Sequence, residues 1–101
     1  MNEVSSSEVR SIVPTFDERA LPMDAKSLDE WTTWINLQGW ENTDQHLIDV
    51  FCYLRNIRGL DPYAYPYYWT NKIGFKNRVI IPFFFEGKIV GWTARATNRV
   101  S

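Results

Sequence analysis

The sequence predicts an α+β domain, with two or three N-terminal helices followed by a small antiparallel β-sheet that contains a C-terminal hairpin. Two patterns carry that expectation. Apolar residues recur at helical spacing from Leu28 to Ile57. From Arg78 to Ala96 they give way to two runs rich in β-branched and aromatic residues, RVIIPFFF and KIVGWTARA, split by Glu86-Gly87.

Residues 1–26 read as a mobile or extended arm, and 27–101 as the folded unit. The first ten residues are polar and serine-rich, which suits a mobile terminus. Ser11 to Met23 contains Pro14 and Pro22 and has no helical period. At Ser27 the composition changes. Ser27-Leu28-Asp29-Glu30 has the spacing of a capping box, in which the serine hydroxyl and the glutamate carboxylate each accept the other residue's amide. Leu28, Trp31, Trp34 and Ile35 then fall on one face of a short helix that Gly39 would stop.

For the second helix, Thr43 is the expected N-cap and Asp44 sits in the first turn. Its apolar stripe is Leu47, Ile48, Val50, Phe51, Leu54 and Ile57. Gly59 suits a left-handed position after the helix end, and Arg58, with Arg55, favours the negative end of the helix dipole. Asp61-Pro62 is the pattern of one further turn, with the aspartate as cap. The stretch from Tyr63 to Trp69, YAYPYYW, holds five aromatic side chains, and Lys72 to Asn77 reads as a polar turn around Gly74. Glu86-Gly87 is a two-residue hairpin loop, with glycine supplying positive φ.

Composition narrows the function classes. At 101 residues the chain is sized for one small domain, and 45% hydrophobic residues are enough to build a core. The single cysteine, Cys52, rules out an intramolecular disulfide framework, and with the single His46 it cannot form a four-ligand zinc site. No apolar run approaches the roughly 20 residues of a membrane span, and Met1 to Arg10 is too polar for a signal peptide. The expectation is a soluble, cytoplasmic protein with no membrane partner.

The formal net charge of −1 conceals a polarised chain. Residues 1–51 carry Arg10, Arg19 and Lys26 against ten acids, a balance of −7. Residues 52–101 carry eight basic side chains against Asp61 and Glu86, a balance of +6. Such a split points to an anionic partner for the basic half, or to two halves that neutralise each other across the fold.

A two-residue loop sets the hairpin register. It places Ile81 opposite Trp92, Val79 opposite Ala94 and Arg78 opposite Arg95, with Lys76 on the face of Arg78. Two arginines directly across a pair repel unless an anion lies between them, and guanidinium forks match phosphate oxygens. A bulge, which Pro82 favours, would slip this register by one and part the two arginines. The alternative is a pair of solvated arginines on an exposed strand face.

The run from Phe75 to Ala96, FKNRVIIPFFFEGKIVGWTARA, resembles a signature of bacterial-type (toprim) DNA primases: an arginine, a hydrophobic-proline strand, a tight turn, and a Gly-aromatic strand ending in Ala-Arg. Tyr53 to Leu60, YLRNIRGL, resembles that family's Tyr-Leu-x-x-Arg-Gly segment. Phage replication primases are most similar, since they combine Arg-Gly-Leu-Asp-Pro, a tyrosine-rich stretch and Asn-Arg-x-Ile-Ile-Pro-Phe. The resemblance covers roughly Leu47 to Ala96. It implies the N-terminal subdomain of the primase catalytic core, whose partners are single-stranded DNA template and nucleotide triphosphates, with toprim and helicase domains or subunits beside it. Lys76, Arg78 and Arg95 match its basic positions.

The family's zinc-binding domain has no counterpart here, and its metal-binding toprim carboxylates belong after the segment that ends at Ala96. No cofactor is therefore expected on this chain, and magnesium is expected only with the toprim domain. The chain is expected to be a fragment, or one product of an interrupted gene, without polymerase activity of its own. Tyr67 and Trp69 share one strand face and are the candidates for base stacking. His46 reads as a surface or boundary residue, Cys52 as a buried small hydrophobe beside Phe51, and Trp31, Trp34 and Trp40 as core or a docking surface. From a different class, the alternative function is a small non-enzymatic phage interaction module with an aromatic docking surface.

Overall fold

The computed structural model describes residues 17–97. Its elements, in chain order, are β1 (Lys26–Ser27), α1 (Leu28–Gln38), α2 (Gln45–Cys52), β2 (Tyr68–Trp69), β3 (Arg78–Phe85) and β4 (Lys88–Ala96). The strands form one antiparallel sheet in the order β1-β2-β3-β4. Two helices beside a four-stranded sheet that ends in a hairpin make the α+β class the patterns predict. The segment 1–10, read as mobile, lies outside the described residues.

The capping box of α1 forms as expected. The Ser27 hydroxyl accepts the Glu30 amide at 3.2 Å, and the Glu30 carboxylate accepts the Ser27 amide at 3.1 Å. Leu28, Trp31 and Ile35 are buried, and Gly39 ends the helix with its amide on the Ile35 carbonyl at 2.7 Å. Trp34, on the flank of that face, packs edge-on against Trp31 with ring centroids 5.4 Å apart.

The second helix departs from expectation at both ends. Asp44, not Thr43, is its N-cap, with Oδ1 accepting the His46 amide at 2.9 Å. Thr43 instead closes a 3-10 turn, Trp40–Asn42, and donates its hydroxyl proton to the Gly39 carbonyl. At the other end α2 stops at Cys52 and the chain widens into a π-turn, Tyr53–Ile57, in which the Arg58 amide reaches back five residues to Tyr53. The extra residue in the turn rotates the apolar stripe, so Leu54 stays buried while Ile57 turns outward. Gly59, at φ +66°, reverses the chain, and the Leu60 amide closes the end on the Leu54 carbonyl at 2.7 Å.

Cys52 is exposed, contrary to the buried position expected beside Phe51. Leu47, Val50, Phe51 and Leu54 occupy the inward face of the helix, and position 52 lies about 100° beyond Phe51 around the axis. Asp61 caps the next turn as expected, its carboxylate accepting the Tyr63 amide at 2.9 Å.

The hairpin turn has positive φ at both Glu86 (50°) and Gly87 (80°), the requirement of a type I′ loop. Phe85 pairs with Lys88 and Phe84 with Ile89, as a two-residue loop dictates. Then Phe83 pairs with Gly91, leaving Val90 unmatched in a bulge. Every later pair is shifted by one: Ile81 faces Thr93, Val79 faces Arg95 and Arg78 faces Ala96. The expected Arg78–Arg95 pairing is therefore corrected.

Pro82 sits inside β3 at no cost to the ladder. The Thr97 amide donates to the Asn77 carbonyl, so odd-numbered β3 residues bond toward β4 and even-numbered ones point toward β2. Short β2 has already ended where Pro82 lacks its amide, and the Tyr65 hydroxyl donates to the Pro82 carbonyl on that side.

One sheet face carries Trp69 and Val79 and packs on Leu28, Trp31, Ile35, Leu47, Val50, Phe51 and Leu54. Burying each such side chain stabilises the fold by about 1.5–3 kcal/mol before ordering costs. Two indoles tie the layers together. Trp31 Nε1 donates to the Trp69 carbonyl at 2.8 Å, and Trp69 Nε1 to the Lys76 carbonyl at 3.0 Å. The opposite face, with buried Ile80 and Pro82, is crossed by the arm. The Arg19 amide donates to the Ile89 carbonyl, Trp92 Nε1 to the Ala20 carbonyl, and the Thr70 hydroxyl to the Met23 carbonyl. The described part of the arm is thus an extended strap on the sheet. Among the described residues, no helix is long and apolar enough to cross a membrane.

Candidate nucleic-acid interface

Lys76, Arg78 and Arg95 lie at the open end of the hairpin, opposite the Glu86-Gly87 turn. The bulge sorts them into two groups on opposite sheet faces. Lys76 and Arg78 border one cavity of about 520 Å³, together with His46 from the first turn of α2. Arg95, opposite Val79, lies on the helix-covered face instead. Of the three expected phosphate-binding residues, the structure brings Lys76 and Arg78 together and separates Arg95 from them.

Lys76 is positioned by the indole bond of Trp69 to its carbonyl. Its ammonium lies 3.4 Å from Asp44 Oδ2. Asp44 Oδ1 meanwhile accepts the His46 amide and stands 3.0 Å from His46 Nδ1. Partial burial pushes the Asp44 carboxyl up, but the His46 amide, the His46 ring and Lys76 outweigh it and hold the carboxyl below the usual range. Asp24 similarly meets Lys72 at 3.0 Å, and that hydrogen bond and charge lower its carboxyl. The acidic half therefore neutralises part of the basic half, at Lys72 and Lys76.

Among the described residues, no carboxylate lies within 4.0 Å of Arg58, Arg78 or Arg95. The Arg78 guanidinium passes the small side chains of Ala96 and Ala94 and donates to the Ala94 carbonyl at 3.3 Å. That bond caps one of the outward carbonyls of the edge strand β4, as the Arg19 amide caps Ile89 near the other end.

Arg95 has a different companion, Arg58, which follows the π-turn. Both border a notch of about 80 Å³ with Tyr53, Leu54, Tyr67 and Val79 among its walls. Tyr67 and Trp69 do share one strand face, but that face is the core side. Trp69 is 1% exposed and bonded through its indole nitrogen, so its ring is not offered to a ligand. Tyr67 is half-buried, packs against the core and has its ring 5.3 Å from that of Tyr65, leaving it at the notch.

Sequence reasoning missed Arg58 and Asp44 as site residues. The helix dipole and the Arg58-Gly59 stop account for Arg58 in the sequence, and the signal that could have found the bulge turning Arg95 toward it is Gly91, beside Val90. No group of three or more His, Cys, Asp or Glu side chains comes together among the described residues to hold a metal ion. These residues do not fit a divalent-metal site, and no metal-dependent step is derived from them. Comparison with family models, with curated proteins and with solved structures finds nothing that matches this chain.

Proposed function

We propose that the chain is the N-terminal subdomain of a phage-type DNA primase core. It holds single-stranded template and nucleotide phosphates during primer synthesis and has no catalytic activity by itself. The observation that carries this reading is the composition of the notch at Arg58 and Arg95. Its walls come from the three segments on which the primase resemblance rests: Tyr53, Leu54, Arg58 and Leu60 from one, Tyr67 from the tyrosine-rich stretch, Val79, Ile81 and Arg95 from the last. Segments distant in sequence thus meet at one place, and what they present there is cationic and aromatic.

That chemistry suits a nucleic-acid backbone. Guanidinium N–H groups form forked bonds to phosphate oxygens, and a tyrosine ring beside them can carry a base, worth about 1–3 kcal/mol per stacked base. Arg78, across the sheet edge, extends the positive surface beyond the notch. Transfer of the phosphoryl group needs carboxylates holding divalent metal, which belong to the toprim domain or subunit in this reading.

The test is the affinity of the chain for a fluorescently labelled single-stranded oligonucleotide, measured by anisotropy over a range of salt. Counterion release predicts a steep fall in affinity as salt rises. Absent binding, or binding indifferent to salt, overturns the reading. Incubation with template, nucleotides and magnesium is expected to give no primer, and a primer made by the chain alone would contradict the assignment of catalysis elsewhere.

A further inference from the structure

A cavity of about 910 Å³ lies between the start of α1, the 3-10 turn and the N-cap of α2, on the other side of Asp44 from Lys76. Its walls combine Trp31, Trp34 and the edge of Trp69 with Glu30, Glu41 and Asp44 and a single cation, Lys26. Lys26 already shows how a cation sits here, with Nζ 5.1 Å from the centroid of the Trp31 ring.

Most polar groups in the walls are engaged within the fold. Glu30 closes the capping box, Asp44 is shared by His46 and Lys76, and the Thr43 hydroxyl donates to the Gly39 carbonyl. Two are not. Trp34 is 43% exposed, and among the described residues its indole N–H has no hydrogen-bond partner. Glu41 has no ion pair among the described residues, and its carboxylate is folded over Gly39, where a Cβ would stand 3.0 Å from both its oxygens.

An open indole and a held carboxylate at the rim of one cavity select a narrow class of ligand. A guanidinium is planar, stacks on an indole and forms a forked pair with a carboxylate, whereas an ammonium is a point charge that cannot use both. With Asp44 engaged by Lys76, Glu30 and Glu41 still outnumber Lys26 in the walls, and that negative balance opposes a phosphate and disfavours nucleic acid. We propose that this cavity is a docking site for an arginine side chain presented by a polypeptide partner, with Trp34 as the stacking surface and Glu41 as the anionic anchor. The inference stands apart from the primase reading, since it uses neither Arg58 nor Arg95.

The probe is a blocked peptide of arginines alternating with glycines, compared with its lysine counterpart. Binding is followed through the indole N–H resonance of Trp34, assigned by its loss in Trp34→Phe. The arginine peptide is expected to shift that resonance and to bind roughly three- to fivefold more tightly than the lysine peptide. Glu41→Gln, at an exposed site, is expected to weaken binding by a similar factor. Arg58→Ala with Arg95→Ala should leave it unchanged. Equal binding of both peptides, or no effect of Glu41→Gln, overturns the proposal. So does a Trp34 shift produced by a single-stranded oligonucleotide, or by raising the protein concentration alone, which would assign the cavity to nucleic acid or to a second copy of the chain.

Discussion

Asp44 joins the acidic and basic halves of the chain, and two substitutions there separate its duties. Its Oδ1 caps α2 through the His46 amide at 2.9 Å, and its Oδ2 meets the Lys76 ammonium at 3.4 Å. Asp44→Asn retains an oxygen for the cap, since asparagine and aspartate cap about equally well. It gives up the negative charge at the helix start, worth about 0.3–1 kcal/mol, and the part-exposed ion pair, worth about 0.2–1 kcal/mol. Asp44→Ala loses the cap as well, a further ~1 kcal/mol. The expected costs are therefore about 1 kcal/mol for Asn and about 2 kcal/mol for Ala, read from urea midpoints at constant m-value. Binding should move the other way. With Lys76 released to contact phosphate, Asp44→Asn is expected to steepen the salt dependence for single-stranded DNA by roughly 0.7 in slope. Equal loss for Asn and Ala would refute the capping role, and an unchanged salt slope would refute the masking of Lys76.

The remaining predictions test other parts of the account. Because the Asp44 carboxyl is held below its usual range in the fold, its contribution is complete above that range and is lost as pH falls through the folded value. The stability gap between parent and Asp44→Asn should therefore narrow on acidification, and a gap that widens would contradict the sign. Glu86 at φ 50° is strained for a residue with a long side chain, so Glu86→Asn is expected to stabilise the hairpin by about 0.5 kcal/mol, seen as a rise in Tm. Native Cys52 should react stoichiometrically with iodoacetamide without denaturant, and protection would mean the end of α2 is packed differently. Trp31→Phe removes the indole donor to the Trp69 carbonyl, which keeps its place in the ladder opposite Lys26, for a loss of about 0.5–1.5 kcal/mol in denaturant titration.

Signals that act over a few residues are largely legible in the sequence, the exception being the cap of α2, which falls at Asp44 rather than Thr43. The capping box of Ser27 and Glu30, the stop at Gly39, the left-handed Gly59 and the Glu86-Gly87 turn each depend on short-range sterics and hydrogen bonds, and each is present. The face of Arg95 depends on one unmatched residue, Val90, and the local signal for that bulge is Gly91 beside it, a glycine inside an otherwise β-branched and aromatic strand. The one-residue slip that a bulge near Pro82 would produce does occur, between Phe83 and Phe84. The exposure of Cys52 follows from helix phase, which the stripe of Leu47, Val50, Phe51 and Leu54 already contained. Trp69 shows a different limit. Strand alternation put it beside Tyr67, but which sheet face the helices cover is decided by tertiary packing.

The charge division is also sharper than a count of acids and bases implies. Asp24 and Asp44 cancel Lys72 and Lys76, so among the described residues Arg58, Arg78 and Arg95 at the open end of the hairpin keep their charge without an acidic partner. The most direct measurement of the central claim is the slope of log affinity against log salt for single-stranded DNA. Parent chain is compared with the Arg58→Ala, Arg95→Ala double variant, and Lys88→Ala at the far end of the hairpin serves as control. If Arg58 and Arg95 each neutralise one phosphate, the double variant lowers the slope by about 1.4 while Lys88→Ala leaves it nearly unchanged. A double variant with the parent slope would contradict the account.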